Sequence, residues 1–299
     1  VSSYLPPWGD RDDIVVRIND SHDFVSGPHN DTTGQHDTGG RWLCQPNSVS
    51  GRDCRTGEGL DRKNNMASNA LAIFAKAPAV GEVKTRLCPP LSPTEAAELA
   101  CCFLVDTVER ACTLVDVQVS LAITPAESEP AFRVLLPFPV QYIPQRGKSL
   151  GEREVNVFVD LLSQGFSSVV LIGSDIPTLP LVHLRTAFTQ LQDPRFDAVL
   201  GPSQDGGYYL VGMRAVHREL FENITWSTPQ VLAQTLAQAR RHHLHVSLVP
   251  SWYDVDTVED LQRLAADLRQ NRGGEDAPRT RAYLTRLGWC PANGEEALS

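Results

Sequence analysis

The sequence lacks the marks of several large functional classes. No stretch approaches the run of about 18 apolar residues that a membrane-spanning helix needs, and the first residues lack the basic-then-apolar order of a secretory signal. A basic excess is missing as well: 36 acidic residues against 27 basic ones give a net charge of −9 and a pI near 5.4, which speaks against a dedicated nucleic-acid binder. Seven cysteines, an odd count without a CxxC pair, form neither a disulfide framework nor a zinc site and read as reduced thiols. There is no GxSxG elbow, no Walker GKS/T, no GxGxxG turn and no internal repeat. These absences leave the expectation of a soluble, cytoplasmic protein with neither membrane nor nucleic acid as partner.

What is present divides at Met66. Residues 1–65 are rich in Asp, Asn, Ser, Thr and Gly, with apolar residues mostly single. They are expected to be a disordered or mis-assigned extension, because such a stretch buries too little surface to offset its ordering entropy. His22, His29 and His36 recur every seventh residue, but no Cys or carboxylate spacing supports a metal arm. Over residues 66–272 short apolar runs alternate with amphipathic stretches, which predicts one α/β domain of three layers with a mainly parallel sheet. Strands are expected at Leu71–Ala75, Val117–Ile123, Val140–Ile143, Val169–Gly173, Ala198–Leu200, Tyr208–Met213 and His245–Val249. Helices are expected from a Ser92/Glu95 capping box to about Ala111, at Gly151–Gln164, Leu181–Leu191, Val216–Phe221, Pro229–Arg241 and Val258–Arg269. Trp226-Ser227-Thr228-Pro229 reads as a helix start, with Ser227 or Thr228 as cap and Pro229 just inside. The tail, residues 273–299, carries one helical stretch, Arg279–Leu287, with Tyr283 and Leu287 on one face, expected to dock on the domain edge or a partner subunit.

Ligands of open α/β sheets bind beyond the carboxyl ends of the strands, so the residues just after each apolar run carry the functional information. After the first strand, Lys76, Lys84 and Arg86 flank a Pro/Gly loop. It is either a solvated basic loop or a polyphosphate cradle in which Lys acts as a point charge and Arg as a fork. After the most apolar strand, Ser174-Asp175-Ile176-Pro177 offers a carboxylate that is a turn former or a ligand for Mg²⁺ or Mn²⁺. After the last strand come Asp254 and Asp256, two apart and projecting to one side of an extended segment. Capping of the next helix by Thr257 or Asp256 leaves one of the two acids without a structural task. Asp205-Gly206-Gly207-Tyr208 reads as a hairpin turn or as a place where backbone approaches a ligand. Gln145, Gly147 and Glu152 lie in a glycine-bearing loop that runs into a helix N-terminus, where an anion or a base edge fits. Cys101 and Cys102 lie within a helix and read as core.

Taken together, FAKAPAVGEVKTRL (Phe74–Leu87), QRGKSLGER (Gln145–Arg153), IGSDIPTLP (Ile172–Pro180), GPSQDGGYYLVG (Gly201–Gly212), WST (Trp226–Thr228) and WYDVDTVEDL (Trp252–Leu261) resemble a bacterial family of GT-A-like nucleotide-diphospho-sugar transferases named for arsenosugar biosynthesis. They occur in family order and span residues 70–270. More distantly, the KTRL segment, the Asp-x-Pro turn and the terminal Asp-x-Asp resemble the guanylyltransferases of phospholactate and molybdenum cofactor synthesis. The resemblance implies a Rossmann-like GT-A fold, a nucleotide-activated donor, a small-molecule acceptor and a divalent metal. Carried over by position, Lys84, Arg86 and Asp175 are implied to be catalytic, with Lys84 and Arg86 on the phosphates and Lys76, Gln145, Gly147 and Glu152 also at the nucleotide. Asp205, Gly206, Gly207 and Tyr208 fall to the acceptor, and Asp175 with Asp254 or Asp256 to the metal. Two departures stand out: Glu154 lies where relatives often carry Met, and the usual Asp-x-Asp of metal-dependent GT-A enzymes is reduced to the single Asp175.

Three functions are therefore carried forward. The first is glycosyl transfer from a nucleotide diphosphate sugar. The second is nucleotidyl transfer, in which a phosphorylated acceptor attacks an NTP and releases pyrophosphate. The third, a catalytically silent nucleotide-binding protein, predicts loss of a cation or carboxylate, whereas Lys84, Arg86, Asp175 and Asp256 are all present. The donor base, the acceptor and the oligomeric state are left open.

Overall fold

A computed structural model describes residues 68–136, 138–270 and 277–290. The expected extension over residues 1–65, with its three histidines, lies outside the described residues. In chain order the elements are β1 (Asn69–Lys76), α1 (Pro93–Ala111), β2 (Val117–Thr124), α2 (Glu129–Leu135), β3 (Gln141–Pro144), α3 (Leu150–Ser163) and β4 (Ser168–Gly173). There follow α4 (Leu181–Gln192), β5 (Ala198–Pro202), β6 (Tyr208–Met213), α5 (Val231–Arg241), β7 (Val246–Leu248), α6 (Val258–Arg269) and α7 (Pro278–Arg286). The strands form one sheet in the order β3-β2-β1-β4-β6-β5-β7, parallel except for β6.

The central strands are apolar on both faces because helices cover both. Leu71, Ile73 and Ala75 of β1 pack with Leu104 and Val108 of α1 and Leu184 and Phe188 of α4. Ala70 and Ala72 point the other way, toward Val157, Phe158 and Leu161 of α3. A third cluster lies outside the sheet layers, where Leu99 and Phe103 of α1 meet Leu261 and Leu264 of α6 and Tyr283 and Leu284 of α7. The expected docking of the C-terminal helix is thus onto α1 and α6. Asp106, fully buried in α1, accepts the backbone N–H of Thr280 at 2.8 Å and of Arg279 at 3.2 Å, capping α7 from another helix.

Two helix starts follow the sequence reading. Ser92 accepts from Glu95 N–H while Glu95 accepts from Ser92 N–H, and Thr257 with Asp260 does the same for α6. Other boundaries differ. The stretch Val216–Phe221 holds only a 3₁₀ turn, Arg218–Phe221. Helix α5 starts at Val231 with Gln230 as its cap residue, not at Pro229. Ser227 sits in the left-handed region (φ 62°), and the Thr228 hydroxyl donates to Thr225 C=O at 2.7 Å, so this hydroxyl serves a turn. Helix α2, only seven residues long, carries too few periods to be read in sequence. Among the described residues no helix is long and apolar enough to cross a membrane.

The topology positions the site. From β1 the chain moves outward through β2 to β3, then returns to place β4 on the other side of β1. The β1/β4 junction is the switch point at which a crevice opens above the strand ends.

Candidate functional site

The loop that leaves β1 folds back over the sheet edge. Lys76 Nζ donates to Glu82 C=O at 2.9 Å and lies 3.5 Å from the Glu82 carboxylate, closing the loop on itself. Lys84 follows in the left-handed region (φ 49°), leading into the 3₁₀ turn Thr85–Leu87, whose Leu87 is buried. This backbone sends the Lys84 side chain inward. Its ammonium lies 2.7 Å from Asp175 Oδ2, 2.7 Å from Asp256 Oδ1 and 2.7 Å from Val255 C=O, with only 5% of the side chain exposed. Burial would lower its pKa, but the Asp175 and Asp256 carboxylates outweigh that and hold the charge firmly in place.

Asp175 is braced from α1. The Thr107 hydroxyl donates to Ser174 C=O at 3.3 Å, and the Arg110 guanidinium donates to the carbonyls of Pro177 and Leu179. Asp256 arrives from the far side of the sheet. The segment after β7 runs past β5, where Trp252 N–H donates to Pro202 C=O at 3.1 Å. It reaches β4, where Val255 N–H donates to Asp175 C=O at 3.0 Å. Two acids distant in sequence are thereby stitched together by backbone. Their side chains remain 37% and 48% exposed. With Phe74, Lys76, Lys84 and Ser174 they line a cleft of about 260 Å³ at the β1/β4 switch point.

The remaining expected residues fall around this centre. Arg86 is exposed and has no partner among the described residues. Asp254 is directed to the loop between β5 and β6, where it accepts from the Ser203 hydroxyl at 3.0 Å; burial, with Asp256 and Asp205 adding, pushes its carboxyl up to about 6. Asp205 accepts Gly207 N–H at 2.9 Å, so the hairpin reading of this loop holds: it joins antiparallel β5 and β6. Gly206 (φ 89°) lies so close to the start of α5 that a Cβ would be 2.2 Å from Pro229 C=O. Gln145 donates to the carbonyls of Ala122 (2.7 Å) and Ala75 (3.5 Å), tying β3 to its neighbours. Glu152 accepts Lys148 N–H at 2.7 Å, and a Cβ on Gly147 would meet the Glu152 side chain at 2.7 Å. These contacts shape the loop before α3.

One group stands out that motif spacing did not single out as functional. Glu154 is buried on α3 and accepts the Tyr208 hydroxyl at 2.7 Å; burial pushes its carboxyl up to about 8. Tyr208 meets Trp226 edge-on, and a Cβ on Gly151 would strike Trp226 at 2.5 Å. The signal in sequence was its place on the apolar stripe of α3, four residues before Phe158 and seven before Leu161. Cys101 and Cys102, expected in the core, are half-buried on α1, Cys102 against the third cluster; desolvation still pushes both thiols up to about 12.

The residues fit a hard divalent cation in a limited way. Mg²⁺ and Mn²⁺ sites commonly use one or two carboxylates, with water and substrate phosphates completing the shell. Asp175 and Asp256 each keep one oxygen that Lys84 does not take, whereas among the described residues no three His, Cys, Asp or Glu side chains converge.

Residues 107–228 match the family model DUF2064, described as uncharacterized protein conserved in bacteria. A crystal structure described as that of a candidate nucleotide-diphospho-sugar transferase from Desulfovibrio desulfuricans G20 is 33% identical, over 75% of this chain and 96% of that one, with a TM-score of 0.69. A cytidylyltransferase from Leptospira borgpetersenii is 12% identical over 77% of this chain and 98% of that one, with a TM-score of 0.45. Molybdopterin-guanine dinucleotide biosynthesis protein A from Archaeoglobus fulgidus is 14% identical over 65% and 95%, with a TM-score of 0.43. Among curated proteins none matches this chain.

Proposed function

The chain belongs to the DUF2064 family, and from that membership and the cleft geometry we propose that it is a glycosyltransferase acting from a nucleotide diphosphate sugar onto a small acceptor. The observation that carries the reading is the Lys84–Asp175–Asp256 cluster at the β1/β4 switch point, in a chain one-third identical to a candidate nucleotide-diphospho-sugar transferase. The diphosphate lies over the loop after β1. There Arg86 offers an unengaged guanidinium fork and Lys76 a second cation at the rim. Mg²⁺ or Mn²⁺ held by Asp175 and Asp256 would neutralise charge on the departing diphosphate. Lys84 keeps the two carboxylates together and adds positive charge beneath them. The Asp205–Tyr208 loop borders the acceptor, whose identity the motif resemblance leaves open.

A second reading, nucleotidyl transfer to a phosphorylated acceptor, is favoured by one observation: the two carboxylates come from separate strand ends, not from one Asp-x-Asp. Product analysis separates them. Incubation with Mn²⁺, candidate acceptors and a panel of nucleotide sugars or NTPs should release a nucleoside diphosphate; pyrophosphate release from an NTP would select the second reading.

A further inference from the structure

The acidic pair of the cleft already has a cation of its own. Lys84 has three N–H donors, and all are engaged, by Asp175 Oδ2, Asp256 Oδ1 and Val255 C=O, each at 2.7 Å. The left-handed backbone at Lys84 and the Phe103 ring, 5.9 Å from Nζ, hold the ammonium in position. Two carboxylates and one ammonium sum to a single negative charge. A bare dication approaching the remaining oxygens would meet a buried positive charge one carboxylate away, where water screens poorly. Among the described residues no group of three His, Cys, Asp or Glu side chains converges there, although Asp254 interacts with the Asp256 charge while bonded to Ser203 and Glu82 lines the cleft paired with Lys76.

On the transferase reading above, we propose that Lys84 makes divalent-cation binding at Asp175 and Asp256 conditional on a bound diphosphate. The diphosphate brings the oxygen ligands that this pair lacks and the negative charge that offsets the ammonium. The coupling is reciprocal: the cation tightens nucleotide binding by the factor by which the nucleotide tightens the cation. Lys84 therefore acts as a positioning residue that sets the order of assembly, keeping the carboxylates paired and the metal absent until the donor arrives.

The test is Mn²⁺ binding to the full chain, followed by the electron paramagnetic resonance of free Mn²⁺, alone and with saturating UDP, GDP, CDP or ADP. Solution Mn²⁺–nucleotide binding is measured in parallel and subtracted. The wild type should bind Mn²⁺ at least about tenfold more tightly with one of the nucleotides than without. Lys84→Met should tighten Mn²⁺ binding in the absence of nucleotide by about tenfold or more and reduce the coupling. Equal Mn²⁺ affinity with and without a nucleotide that does bind would overturn the inference and leave the transferase reading in place. So would a folded Lys84→Met that binds Mn²⁺ no more tightly than wild type. If Lys84→Met does not fold, the wild-type comparison decides alone. Binding of Mn²⁺ with no nucleotide bound under any condition would overturn both.

Discussion

Lys84 Nζ lies 2.7 Å from Asp175 Oδ2, and this ion pair joins the loop after β1 to the end of β4 across the sheet's switch point. The contact explains why a lysine, rather than an arginine, stands there. A compact ammonium can reach two carboxylates and a carbonyl at once from a buried position, where a planar fork would not fit the same three directions.

Asp175→Asn removes half of the charge that balances a nearly buried ammonium. Turnover should be lost with the fold retained, and unfolding free energy should fall by about 1–3 kcal/mol, less than for a fully buried pair because Asp175 is partly solvated. Turnover assays and urea denaturation check this. Retained metal-dependent activity would remove Asp175 from the site.

Arg86→Ala should behave in the opposite way. The side chain is exposed and without a partner among the described residues, so unfolding free energy should change by less than about 0.5 kcal/mol. Nucleotide affinity should fall about tenfold through loss of a charged fork. Calorimetric titration with the preferred nucleotide reads the effect, and unchanged affinity would place Arg86 outside the binding surface.

Gly206→Ala tests the packing of the loop between β5 and β6. The new Cβ would lie 2.2 Å from Pro229 C=O at a positive φ, so backbone must move and the Leu232 N–H bond to Gly206 C=O (3.0 Å) is strained. A loss of about 2 kcal/mol or more is expected, above the roughly 1 kcal/mol of the left-handed conformation alone. Nucleotide affinity should be nearly unchanged. A variant with wild-type stability would show that the loop shifts freely away from α5.

Glu154 gives stability a pH dependence. Its carboxyl is held near 8 by burial against an ordinary value of 4.5. Below the ordinary value both folded and unfolded states are protonated. Between the two values the unfolded chain releases a proton that the folded chain keeps, so stability falls as pH rises, by up to about 1.4 kcal/mol per unit. Above the folded value the loss is complete. Glu154→Gln keeps an oxygen for the Tyr208 hydroxyl and abolishes this slope. Urea midpoints at about pH 6 and about pH 8.5 should therefore diverge, with the variant gaining on wild type at the higher pH; parallel profiles would contradict the buried neutral acid.

Much of this architecture was legible in the sequence because the signals were local. The runs in β1 and β4 are apolar on both faces, which marks strands covered by helices. The Ser92/Glu95 pair announces one helix start within four residues, and Thr257, one of two expected caps, opens α6. Motif resemblance singled out Lys84, Asp175 and the Asp254/Asp256 pair, but neither which of that pair meets Lys84 nor the mutual contact. Lys84 was expected to face phosphate; that it also neutralises the acid pair depends on a left-handed residue and on a chain segment returning from β7. The Glu154–Tyr208 contact likewise spans 54 positions, beyond any local periodicity. The start of α5 lies beyond the expected Pro229 because Ser-Thr-Pro suits both a cap and a turn, and packing against Gly206 selects the turn.

On the proposed function, the Lys84–Asp175–Asp256 cleft takes a nucleotide-activated donor. The most direct test of that reading is equilibrium binding of nucleotide sugars, nucleoside diphosphates and NTPs to wild type and Asp175→Asn, each with and without Mn²⁺. Mn²⁺-enhanced binding of one nucleoside diphosphate and its sugar to the wild type is expected, with the Mn²⁺ enhancement lost in Asp175→Asn. Nucleotide binding that neither Mn²⁺ nor the substitution alters, or no binding at all, would contradict it.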